Sequence, residues 1–175
     1  MPDPTLSAAI MEAYAAAPVD DVIYHTLEIW HPSFSQPIRV VRDFDDLDAR
    51  IEAGAPRDAG AIVTFVRFAF EFKPPEQSPT GVPECVIEID NVDRSIIAQL
   101  DLAVSSPEKV TAIYRAYLAS AALVGPENLP PMELTFRSVT SDVFRIRATV
   151  GFADLLNRKF PALEYTLATF PGLVP

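Results

Sequence analysis

The chain has 175 residues, 49% of them hydrophobic and 22% charged, with a formal net charge of −10. This length and composition predict one domain with ample apolar material for a core and exclude a disordered chain. So acidic a surface argues against gripping nucleic acid by neutralising phosphates, so no sequence-specific nucleic-acid binding is expected; Cys85, the single cysteine, excludes an internal disulfide.

Residues 5–16 are alanine-rich, with Leu6, Ile10 and Tyr14 spaced by four, which predicts a short amphipathic helix begun near Pro4 and stopped at Pro18. Residues 22–30 alternate as a strand. Ile23, His25, Leu27 and Ile29 share one face, and Tyr24, Thr26, Glu28 and Trp30 the other. His31-Pro32-Ser33 breaks that strand, and PIRVVR (37–42) predicts a second. Residues 43–52 carry Asp43, Asp45, Asp46, Asp48 and Glu52 against Arg50, a local net charge of −4. Their apolar members suit either a turn or two of helix or a strand, and the reading leans to an extended hairpin arm turning at Gly54-Ala55-Pro56. AIVTFVRFAFEF (61–72) is apolar on both faces, as in a strand covered on two sides or lending one side to an interface. Prolines make 73–83 a loop. ECVIEID (84–90) reads as a strand, and Asn91 as the cap of a helix carrying Ile96, Ile97, Leu100 and Ala103. Three strands follow: 110–118, then a hairpin of 133–139 and 143–150 across Thr140-Ser141-Asp142. The remainder holds a helical turn, ADLLNRKF, and then an extended stretch.

These elements predict an α+β fold of mostly antiparallel β, a sandwich or partly open barrel with a flanking helix. The organisation expected is an N-terminal helix (1–20), one β-rich domain (21–150) and a C-terminal extended arm (151–175). No apolar run is long enough for a signal peptide or a membrane span, so cytoplasmic synthesis without direct membrane insertion is expected.

Motifs for chemistry are missing. The chain has no phosphate loop, dinucleotide fingerprint or nucleophile elbow, and its two histidines, His25 and His31, lie six residues apart. An EF-hand counted from Asp43 puts Asp48 where glycine belongs and Gly54 where glutamate belongs, so the calcium match fails. Cys85 reads as a small buried hydrophobe and His25 as a hydrogen-bonded core histidine. The expectation is a protein with no catalytic residues, no metal and no cofactor.

The run GFADLLNRKFPALEYTLATFPGL (151–173) resembles an uncharacterised family of phage and prophage tail proteins, a domain of unknown function. Those proteins end in a motif of the form F-x-x-L-L-N-R-x-F-P, then Y-T and F-P-G-L. Here the matching residues are Phe152, Leu155, Leu156, Asn157, Arg158, Phe160, Pro161, Tyr165, Thr166, Phe170, Pro171, Gly172 and Leu173. LEIWHPSF (27–34), the VTF run (63–65), residues 81–94 and Y-R-x-Y-L (114–118) match more loosely. The resemblance implies a tail-tube-like fold and a structural virion protein of the tail tip, a distal-tail or minor-tail ring subunit of siphophage-type tails joining the tube to the hub or baseplate. It implies a homo-oligomeric ring with tube, hub and tape-measure proteins as partners. The alternative it leaves is a tail assembly factor or a partner of a tail-associated cell-wall peptidase. Phe152, Leu155, Leu156, Asn157, Arg158, Phe160, Tyr165, Phe170 and Leu173 become the candidate assembly interface. Asp43, Asp45, Asp46 and Asp48 become candidate acids facing the lumen of such a ring, a solvated loop being the plainer reading.

Overall fold

A computed structural model describes residues 6–16, 21–73, 84–90, 95–103, 106–142 and 145–152. Its elements are α1 (Ala8–Ala16), β1 (Ile23–Trp30), β2 (Ile38–Val41), β3 (Leu47–Arg50), β4 (Ile62–Arg67) and β5 (Phe70–Lys73). These are followed by β6 (Glu84–Asp90), α2 (Ser95–Ala103), β7 (Thr111–Leu118), β8 (Met132–Ser141) and β9 (Arg145–Gly151), with a 3-10 turn at Ala119–Ala121. The strands form one open nine-stranded sheet in the order β3-β4-β2-β1-β7-β8-β9-β6-β5. Every pairing is antiparallel except β2 with β4. This is the α+β, mostly antiparallel fold with a flanking helix that the periodicity predicts.

Strict period-two alternation sorts the side chains onto two faces. In the β1–β7 register Leu27 lies opposite Tyr114 and Ile29 opposite Ala112, while Thr26 lies opposite Arg115 and Tyr24 opposite Tyr117. The first set belongs to the larger core, where Leu27, Ile29, Val40, Leu134, Ile87, Ile146 and Ala148 are buried and α2 adds Ile96. The second set faces a smaller core of Val41, Ala49, Ile51, Phe65, Tyr117 and Ala122. The β3–β4 hairpin therefore folds over the second face of β1 and β7, and β1 is covered on both sides.

Three contacts hold that hairpin down along its outer strand. The Arg50 backbone N–H donates to Ala122 O at 2.9 Å, the Tyr117 hydroxyl donates to Arg50 O at 3.1 Å, and Arg50 Nε donates to Leu123 O at 2.8 Å. The sheet edge at β3 is thereby closed at Arg50 rather than left as a template for another strand. The connecting loop, residues 51–61, turns back through Asp58 (φ 48) and Gly60 (φ 73), the left-handed conformations that let Ile51 N reach Ala61 O. The extended reading of the acidic stretch is the observed one: residues 47–50 are strand, with the turn spread over a longer loop.

Residues 61–72 differ from the single strand expected. The stretch forms two strands that belong to opposite ends of the sheet order. β4 pairs with β3 and briefly with β2, whereas β5 pairs with β6. The crossing at Phe68 and Ala69 is carried by Phe68 N to Val41 O, 2.9 Å, and Asp90 N to Ala69 O, 3.0 Å. One stretch can serve both ends only because the twisted sheet curls round. Phe72 accordingly stacks on Tyr114 at 4.7 Å between ring centroids, although three strands separate β5 from β7 in the sheet. The two-sided apolarity of AIVTFVRFAFEF follows: Phe65 fills the smaller core and Phe70 the larger, on opposite sides of the bend.

Candidate functional site

The acidic residues lie at the root of the hairpin arm, on a loop fixed by hydrogen bonds. Arg67 N donates to Asp46 Oδ1 at 2.8 Å, Arg67 Nη1 to Phe44 O at 3.3 Å, and Thr64 Oγ1 to Asp48 Oδ1 at 2.6 Å. Asp46 and Asp48 thus have structural duties as well as charge. Asp45 is exposed and Asp43 half-buried, and between them Phe44 stands 91% exposed. The four aspartates are gathered on one rim, with a single apolar side chain displayed among them.

Beneath the arm lies a buried ion network that the sequence reading does not anticipate. Arg115 and Glu28 are both fully buried and meet at 3.3 Å between Nη1 and Oε2. The Arg115 fork also grips Glu52 in the arm loop, Nε to Oε2 at 2.7 Å and Nη2 to Oε1 at 2.9 Å. Glu28 takes two further donors, Arg39 Nε at 3.2 Å and Arg57 Nε at 3.0 Å. Arg39 also reaches Asp58, and Arg57 lies 5.1 Å from the centre of the Trp30 ring. Three carboxylates and three guanidiniums therefore balance. Burial works against the charge of Arg115, but Glu52 and Glu28 outweigh it and raise its pKa above the ordinary value. The signal for this network was present in the sequence as lone charges inside apolar strands, Glu28 in TLEIW and Arg115 in AIYRAYL.

On the opposite face, under α1, a polar cluster surrounds Tyr114. His25 Nδ1 lies 2.6 Å from the Tyr114 hydroxyl, which also bonds the Tyr14 side chain of α1. Burial pushes the Tyr114 phenol upward, and burial together with the Arg42 charge holds His25 below the usual histidine value. His25 is half-buried and hydrogen-bonded, as expected. His31 is fully buried. Its Nδ1 accepts from Ser33 N at 3.0 Å, which leaves Nε2 to donate to Glu108 O at 3.3 Å. Phe34 packs edge-on against Trp30. Cys85 is buried in the larger core, which pushes its thiol up to about 11. Among the described residues no group of three His, Cys, Asp or Glu is placed to hold a metal ion, and no helix is long and apolar enough to cross a membrane.

Polar members of the looser motif matches thus have structural partners: His31 staples a turn, Arg115 anchors the arm, and Tyr117 caps Arg50. A family model matches residues 9–165. The chain belongs to the family described as a domain of unknown function (DUF1833). No curated protein matches it. The family match takes in the α1 helix, the whole sheet and the LLNR segment. Of the candidate interface, Phe152 follows β9 and is 38% exposed. Leu155, Leu156, Asn157, Arg158, Phe160, Tyr165, Phe170 and Leu173 lie outside the described residues.

Two measurements follow from this geometry. Glu28→Gln removes the charge that three arginines share and leaves Arg115 with only Glu52, so unfolding free energy in a denaturant titration should fall by about 3–5 kcal/mol. Glu88→Gln is the comparison, because Glu88 pairs with the exposed Arg147 and Arg145, where ion pairs contribute about 0–1 kcal/mol. The depressed pKa of His25 makes the folded state bind its proton later than the unfolded chain does. Its contribution is fully present above 6.5 and is lost as pH falls from there through the folded value. Urea midpoints at pH 7.5 and 5.0 should therefore separate more in the native protein than in His25→Gln. The groups facing His25 are Tyr114, Tyr14 and Arg42, and Arg42 does not titrate in this range.

Proposed function

We propose that this chain is a structural subunit of a phage or prophage tail tip, a distal-tail or minor-tail ring protein joining the tail tube to the hub or baseplate. The observation that carries this reading is the run from Phe152 to Leu173, whose motif resembles the ending of tail proteins. The family match covers this run as far as Tyr165. The fold suits mechanical work. Two cores share the β1–β7 pair, the arm is clamped by buried charge, and the exposed features sit on a frame that does not need to move. Its neighbours in this reading are further copies of itself and the tube, hub and tape-measure proteins, and its location is the virion.

Purified particles test the proposal directly. Quantitative mass spectrometry of tails should find the chain in fixed copy number relative to the tube protein. An assembly factor, or a partner that leaves after helping a cell-wall peptidase into place, would be required for tails yet absent from them. That result would overturn the structural assignment.

In a ring, the rim of Asp43, Asp45, Asp46 and Asp48 is the natural lining for a DNA channel, since carboxylates repel phosphate. Screening limits the effect to about 8 Å at physiological salt, so only charges at the wall act. Replacing all four by asparagine keeps an Oδ1 acceptor for Arg67 N and Thr64 while removing the charge. Intact tails with slowed DNA ejection at low salt, recovering as salt rises, are expected. Unchanged ejection would assign the rim to solvent.

A further inference from the structure

Between β2 and β4 the sheet comes apart. The two strands pair only at Val40 with Val66 and Val41 with Arg67, whereas residues 62–65 of β4 pair with β3 alone. The splayed strands leave a cleft of about 410 Å³ beside α2. Ile38, Val40, Val66, Phe68 and Ile96 supply its apolar walls, and Val66 is half-exposed there. Arg39 also lines it, but its guanidinium is engaged by Glu28 and Asp58. Gln99 enters from α2. Its Nε2 lies 3.4 Å from Ser35 Oγ, while its Oε1 is shut off from solvent and accepts no hydrogen bond among the described residues. Turning the amide over merely exchanges a lone acceptor for lone donors.

We propose that this cleft is a socket for residues 165–175 of a neighbouring copy, joining subunits head to tail; the proposal rests on the ring reading above and names its contact. Charge selects the occupant. Two copies each carrying −10 repel, so the surfaces that meet must be the uncharged ones. The run YTLATFPGLVP has no charged side chain and presents Leu167, Phe170 and Leu173 to fill an apolar cleft. The cleft's dimensions are those of a site that takes a few side chains. A socket and a plug at different places on one chain make a heterologous contact, the kind that builds a ring where its rotation closes, rather than a two-fold pair.

Full-length Thr64→Cys and Leu173→Cys proteins, mixed under mild oxidation, test the contact; native Cys85 is buried and does not compete. Thr64 lines the cleft and is exposed. A mixed disulfide should form at least tenfold faster than between Leu173→Cys and Ser138→Cys, an exposed β8 position outside the cleft. Adding Val66→Arg to the Thr64→Cys protein should abolish the advantage, and Val66 is exposed enough for the fold to tolerate the change. A rate no faster than the Ser138 control overturns the socket. So does a disulfide that forms only within single chains of the double variant. Virion composition judges the tail reading separately. Protein found in tails without the disulfide removes only the socket, and the disulfide without protein in tails removes only the tail assignment.

Discussion

A fully buried guanidinium between two carboxylates sets the terms for this structure. Arg115 holds Glu28 on the neighbouring strand and Glu52 on the arm loop, so it links the sheet to the layer that covers it. Removing two charges from water costs several kcal/mol each, and an arrangement of this kind is tolerable only if every lone pair and proton finds a partner. Arg39 and Arg57 complete the requirement for Glu28, and Arg57 extends it to the Trp30 ring. A purely apolar second face would pack as well in many orientations. The ion network admits one, because a shifted arm would strand a buried charge.

That single docking explains the two unequal cores. The larger one follows the first face of the sheet across seven strands and α2; the smaller exists only because the arm turns over the second face. Closing the arm onto β7 draws β3 toward Arg50's partners at Ala122, Leu123 and Tyr117. β4, paired with β3, is pulled away from β2 after two residues of contact. The split cleft is thus a consequence of anchoring the arm, and the bend at Phe68 and Ala69 lets the same stretch of chain rejoin the sheet at its far end. Asn128 is a smaller instance of the same economy. Where β8 no longer reaches β7, its side-chain amide accepts from Ala116 N at 2.8 Å and donates to Tyr114 O at 3.2 Å, standing in for a strand.

Several residues that drew attention as motif members turn out to be fastenings. His31, with both ring nitrogens bonded to backbone groups, fixes the turn between β1 and β2. Arg115 and Tyr117 from Y-R-x-Y-L bind the arm. Family resemblance in these segments reports how the domain holds itself together. The remaining part of the resemblance lies in residues 152–173, after the last strand among the described residues.

Residue order alone determined the strands, because side chains alternate with period two whatever covers them: 22–30, 84–90, 110–118 and the 133–150 hairpin are readable from apolar spacing. It also determined the mostly antiparallel α+β class, the burial of Cys85 and the hydrogen-bonded, half-buried place of His25. Only the tertiary structure decided that the face bearing Glu28 is buried, since a charge on a strand reads as solvent-facing until its partner from 87 residues away is known. It alone decided that 61–72 divides between two ends of the sheet. An apolar stretch of twelve residues carries no mark of where its neighbours change, because that change is set by sheet curl and by which strands compete for the same hydrogen bonds.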